Sequence, residues 1–102
     1  MILYWCETDD HDEDWFVVAS YAREARHFYE VVEGYGRGDA RTTVICRIPR
    51  ALTPKMRGWP EHDLLRTLGG VLLSESTPRI VQFKDRVYKG RGSRCRAATA
   101  RR

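Results

Sequence analysis

The sequence predicts an α+β fold: a mostly antiparallel sheet of four or five strands with two helices packed on one face, in the order β-β-α-β-α-β-β. Three observations carry this. Residues 15–34 read as a strand that runs straight into an amphipathic helix. The other apolar segments are short and rich in β-branched residues, which suits pleated, half-buried surfaces. Helices few and short against several strands favour an antiparallel sheet covered by helices. At 102 residues the chain has room for one domain with one modest core.

Ile2–Cys6 reads as the first strand and Trp15–Ala19 as the second, joined by Glu7–Asp14 as a hairpin connection. Ser20 stands where a helix N-cap belongs, because its hydroxyl can accept from an orphan backbone N–H. Ala22, Ala25, Phe28, Tyr29 and Val32 then recur at spacings of three and four, making one apolar stripe. Arg26 and Glu30 are four apart on the polar side and can pair. Gly34 is a natural left-handed stop.

Gly34–Asp39 is a loop. It is not a phosphate cradle, because a helix precedes it and a strand follows, the reverse of what such a cradle needs. Arg41–Ile48 is the third strand, ended by Pro49. Residues 49–60 form a loop, with Met56 and Trp59 expected to pin it on the core. Pro60-Glu61-His62-Asp63 opens a second helix with Leu64, Leu65 and Leu68 on its apolar face, and Gly69-Gly70 stops it. Val71–Leu73 reads as a helix extension or a short strand. Ile80–Phe83 and Arg86–Tyr88 form a closing hairpin, which ends the domain at residues 1–88. Residues 89–102 read as a basic tail. The expected core is Leu3, Trp5, Phe16, Val18, Ala25, Phe28, Val32, Val44, Ile48, Leu65, Leu68 and Val81.

Charge is split along the chain. Residues 1–51 carry ten acids and six bases, residues 52–102 four acids and twelve bases, so −4 and +8 make the net +4. Such asymmetry bears on association and not on fold. No apolar run is long enough for a membrane span. The first residues lack the basic start and long apolar stretch of a signal peptide, so a cytoplasmic protein is expected. Cys6, Cys46 and Cys95 form no CxxC motif, and a disulfide set is not expected in a reducing compartment.

Two stretches are candidate sites. In the acidic loop, Glu7 is followed by Asp9, Asp10, His11, Asp12, Glu13 and Asp14. Asp10, Asp12 and Asp14 match the first three ligands of a calcium loop. Trp15 then stands where glycine must turn the chain, and Tyr21 where a bidentate glutamate is needed, so no dedicated metal site and no cofactor are expected. The loop instead suits a basic surface on a partner, or this chain's own basic end. The second stretch comprises Arg86 on the hairpin and Lys89, Arg91, Arg94, Arg96, Arg101 and Arg102. It would bind a phosphate backbone without sequence preference, with Arg79 and Lys84 extending the patch. Cys6 with His11 is a candidate thiolate pair, although Cys6 reads better as a small buried hydrophobe. No HExxH, GxSxG or GxxxxGK[ST] motif occurs. The expectation is a small non-enzymatic binding or regulatory protein that acts through a protein partner or as a homodimer. The alternatives are a nucleic-acid-binding protein using the tail and hairpin, and a small metal-assisted enzyme at the acidic loop.

Overall fold

The computed structural model describes residues 1–74 and 79–91. The α+β class holds, with six strands among the described residues in two antiparallel sheets in place of four or five in one. The first sheet joins β1 (Ile2–Glu7), β2 (Trp15–Ala19) and β3 (Arg41–Arg47) in the order β2-β1-β3. The second joins β4 (Val71–Ser74), β5 (Arg79–Phe83) and β6 (Arg86–Gly90) in sequence order. Helix α1 (Ala22–Glu33) follows β2, and the shorter α2 (His62–Thr67) precedes β4. Val71 therefore begins a strand and does not extend α2.

The two helices lie on opposite faces of the first sheet, not on one. Successive strand residues point to opposite faces. Leu3, Trp5, Phe16 and Val18 share a cluster with Leu65 of α2 and Val81, Phe83 and Tyr88 of the second sheet. Tyr4, Cys6, Val17 and Ala19 share the other cluster with Ala25 and Tyr29 of α1. This explains why β2 is apolar throughout, without alternation: both of its faces are covered.

Helix α1 starts one residue later than Ser20 implied. Tyr21 is its extended N-cap, with no side-chain cap bond. Glu24 instead reaches back, its Oε1 accepting from the Ser20 N–H at 2.7 Å. Gly34 ends the helix in the left-handed region at φ 79°. The stripe runs through Ala25 and Tyr29, so Val32 falls at its exposed edge. Glu30 does not take Arg26. It turns inward, and its Oε2 accepts from the N–H groups of Gly38 at 2.9 Å and Ala40 at 3.0 Å.

Val44 is exposed to 60%, against the expected core placement. A bulge explains it. The β1–β3 register slips between Leu3 and Tyr4, so that Leu3 faces Cys46 while Tyr4 faces Val44. Ile45 and Cys46 then both pack toward the second sheet, which breaks the alternation the sequence implied. In the 49–60 loop Trp59 is pinned, edge-on to Phe28 at 5.0 Å, whereas Met56 is 76% exposed. Gly58 fastens this loop to Val18 by a reciprocal backbone pair of 2.8 and 3.0 Å. The closing hairpin turns at Lys84-Asp85, with Lys84 at φ 57°, as a tight two-residue turn requires. It runs to Gly90, two residues past the expected Tyr88, so Lys89 belongs to β6.

Candidate functional site: the cleft between the acidic loop and the closing hairpin

The acidic loop folds back on itself. Asp14 is buried at its base, where its Oδ1 accepts from the Thr8 N–H at 3.2 Å. Its Oδ2 lies 2.6 Å from His11 Nδ1. His11 reaches it from a left-handed backbone at φ 60°, after a turn in which the His11 N–H bonds the Thr8 carbonyl at 3.2 Å. Glu7 completes the group. Its Oε1 is 3.8 Å from His11 Nδ1 and accepts from Trp5 Nε1 at 3.3 Å. Across the sheet, Arg41 pairs with Asp9 and stands 3.9 Å from Glu7.

Electrostatics follow from these contacts. The Asp14 hydrogen bond raises the His11 pKa above its ordinary value. Burial pushes the Asp14 carboxyl up, opposed by the bonds from His11 and Thr8. Burial, then the charges of Asp14 and Glu30, push the Cys6 thiol up to about 12. Cys6 is therefore a buried neutral thiol and no partner for His11 as a thiolate pair.

The calcium-type triad is not gathered. Asp10 and Asp12 are exposed, and only Asp14 joins the cluster. The residues brought together are Glu7, His11 and Asp14, whose ligand atoms lie within 4.8 Å of one another. One imidazole nitrogen and two carboxylate oxygens suit a divalent cation of intermediate softness. Such an ion would compete with the proton that His11 shares with Asp14.

This cluster forms one wall of a cleft of about 370 Å³. Arg86, Lys89 and Arg91 form the other, so the hairpin's bases face the acidic loop. Trp5 and Tyr88, tilted rings 5.0 Å apart, lie between the walls, with Val87 and Thr43 at the rim. The Arg86 guanidinium sits 5.8 Å over the Tyr88 ring. Arg79 is buried and does not extend the basic wall. Arg94, Arg96, Arg101 and Arg102 lie outside the described residues.

The sequence pointed to Glu7, His11, Asp14, Arg86, Lys89 and Arg91 but missed Trp5 and Tyr88 as their companions. The alternation of β1 places Trp5 and Glu7 on one face, and that was the available signal. Among the described residues no helix is long and apolar enough to cross a membrane. Compared with protein families, curated proteins and solved structures, the chain matches none.

Proposed function

We propose that the chain is a small non-enzymatic binding or regulatory protein, and that a protein partner docks across the cleft between the acidic loop and the closing hairpin. One observation supports this reading: segments far apart in sequence bring opposite charges to the two walls of a single cleft. Complementary charge steers encounter and fixes register, while desolvated aromatic and apolar anchors supply most of the affinity. The walls fit the first role, and Tyr88 with the half-exposed Val87 fits the second. The neutral, buried Cys6 thiol fits a binding role better than a nucleophilic one.

The test is a photo-crosslinking residue at Val87, with one at the exposed Val71 on β4 as control, in native lysate with and without nuclease. A discrete nuclease-resistant protein adduct from Val87, absent from Val71 and lost when Arg86→Glu and Lys89→Glu are added, supports the reading. An adduct that nuclease removes favours the nucleic-acid alternative through the same bases. No adduct at Val87 retires the cleft as a docking site.

A further inference from the structure

We propose a second binding site, separate from the cleft: a basic groove along α1 that takes single-stranded nucleic acid. The groove measures about 750 Å³ and follows the helix from Tyr21 to Tyr35. Four guanidinium groups line it from three segments. Arg23 and Arg26 stand on α1, Arg37 in the loop after it, and Arg57 in the loop before α2. Arg57 is steadied by Glu24 at 3.9 Å. Arg23, Arg26 and Arg37 have no carboxylate within ion-pair distance among the described residues.

The nearby acids are committed elsewhere. Glu30 is buried, bonded to the N–H groups of Gly38 and Ala40, and those bonds also fix the loop that carries Arg37. The Asp39 carboxylate accepts from the Gly36 N–H at 2.9 Å. Four guanidinium groups against the carboxylates of Glu24 and Glu30 leave the groove's lining with a net charge of +2. Guanidinium forks match phosphate oxygens in paired hydrogen bonds, which points to a phosphate-bearing ligand.

The aromatic rings choose the class. Tyr21 is 58% exposed at one end of the groove. Tyr35, at the other, stacks on Tyr29 at 5.6 Å and 25°. Flat rings flanking a row of bases suit unstacked nucleobases, which a single strand offers and a duplex does not. Twelve helical residues span about 18 Å, room for several nucleotides rather than one phosphate. The basic surface continues past Tyr21: Ser20 lines an adjoining cleft with Arg47 and Arg50. Ile2 pairs with Ala19 and Arg47, whereas Glu7 pairs with Arg41. Tyr21 and Arg47 therefore stand at the end of the first sheet opposite the acidic loop, away from its repulsion.

The test uses the full chain and fluorescence anisotropy with a labelled oligothymidylate of about a dozen nucleotides, a length within the range that such grooves bind, at two salt concentrations. Heparin serves as a polyanion without bases. Arg23→Gln with Arg26→Gln should weaken oligothymidylate binding about tenfold or more and make the salt dependence shallower by about one to two phosphate contacts. Tyr21→Ala should weaken it about fivefold or more while leaving heparin binding unchanged. The charge-matched pair Arg86→Gln with Lys89→Gln should have a smaller effect than the helix pair. Arg23 and Tyr21 are exposed, and circular dichroism confirms that each variant is folded before its affinity is read. Absence of binding at the lower salt overturns the proposal. So do equal losses from the two charge-matched pairs, or an unchanged affinity in Tyr21→Ala.

Discussion

Gly90 lies against the indole of Trp15 so closely that a β-carbon at residue 90 would fall 2.2 Å from the ring. This contact seats the last strand of the second sheet on the first. Trp15 is fully buried and cannot swing aside, because Phe16 and His62 pack around it at ring separations of 5.1 and 5.9 Å.

Gly90→Ala should therefore destabilise the fold by about 1–3 kcal/mol, the usual range for overpacking a filled core. A chemical denaturation midpoint checks this. An unchanged midpoint would mean that the hairpin is not seated on Trp15, and the basic wall of the cleft would lose its place.

The His11–Asp14 pair gives a pH prediction. His11 has a folded pKa above its ordinary 6.5, caused first by the Asp14 hydrogen bond. The stability this contributes is complete below the unfolded value, and it is lost as pH rises through the folded value. Asp14 acts in the same direction, since a carboxyl raised by burial also binds more protons when folded. NMR titration of the His11 ring should show a midpoint above 6.5, falling toward that value in Asp14→Asn. A midpoint that Asp14→Asn leaves in place would separate the two side chains. With His11 about half exposed, the effect on stability is small and the titration is the sharper readout.

Helix α1 is anchored by Tyr29 and not by Val32. Tyr29→Ala removes a fully buried ring stacked on Tyr35 and should cost about 3–5 kcal/mol. Val32→Ala, at an exposed position, should stay within about 0.5 kcal/mol. Phe28→Ala should fall between them, since that ring is half-buried on Trp59. Thermal melts of the three variants give the order directly. Equal shifts for Tyr29 and Val32 would contradict the helix register.

The class and most elements were legible because local pattern carried them. The helix stripe, the two-residue turn at Lys84-Asp85 and the apolar run of β2 each follow from a few neighbouring residues. What the sequence hid is non-local. The bulge opposite Leu3, which exposes Val44, depends on strand pairing. So does the division into two sheets, because Val71–Ser74 fits a helix extension and a strand alike until β5 is beside it. The candidate site was half legible for the same reason. Charge runs marked the acidic loop and the hairpin bases, but nothing local told that Trp5 and Tyr88 would meet between them. The α1 groove was hidden more fully, since its arginines come from three segments and three of them, Arg23, Arg26 and Arg37, were counted within an acidic half of the chain.

Cysteine reactivity gives the last prediction. Cys6 lies in the central strand, fully buried, with its thiol pushed up to about 12 by burial and then by Asp14 and Glu30. Only the thiolate reacts with a disulfide reagent, so both access and ionisation protect Cys6. Cys46 is half-buried on β3, and burial raises its thiol as well, against a lowering by Lys84. In a variant carrying Cys95→Ser, a thiol-specific disulfide reagent at mildly alkaline pH should label Cys46 slowly and Cys6 only on unfolding. Mass spectrometry of the digested protein assigns each site. Labelling of Cys6 at the rate of Cys46 in the folded protein would mean that the face of β1 under α1 opens readily. The buried bonds that Glu30 makes to Gly38 and Ala40 would then be weaker than their geometry implies.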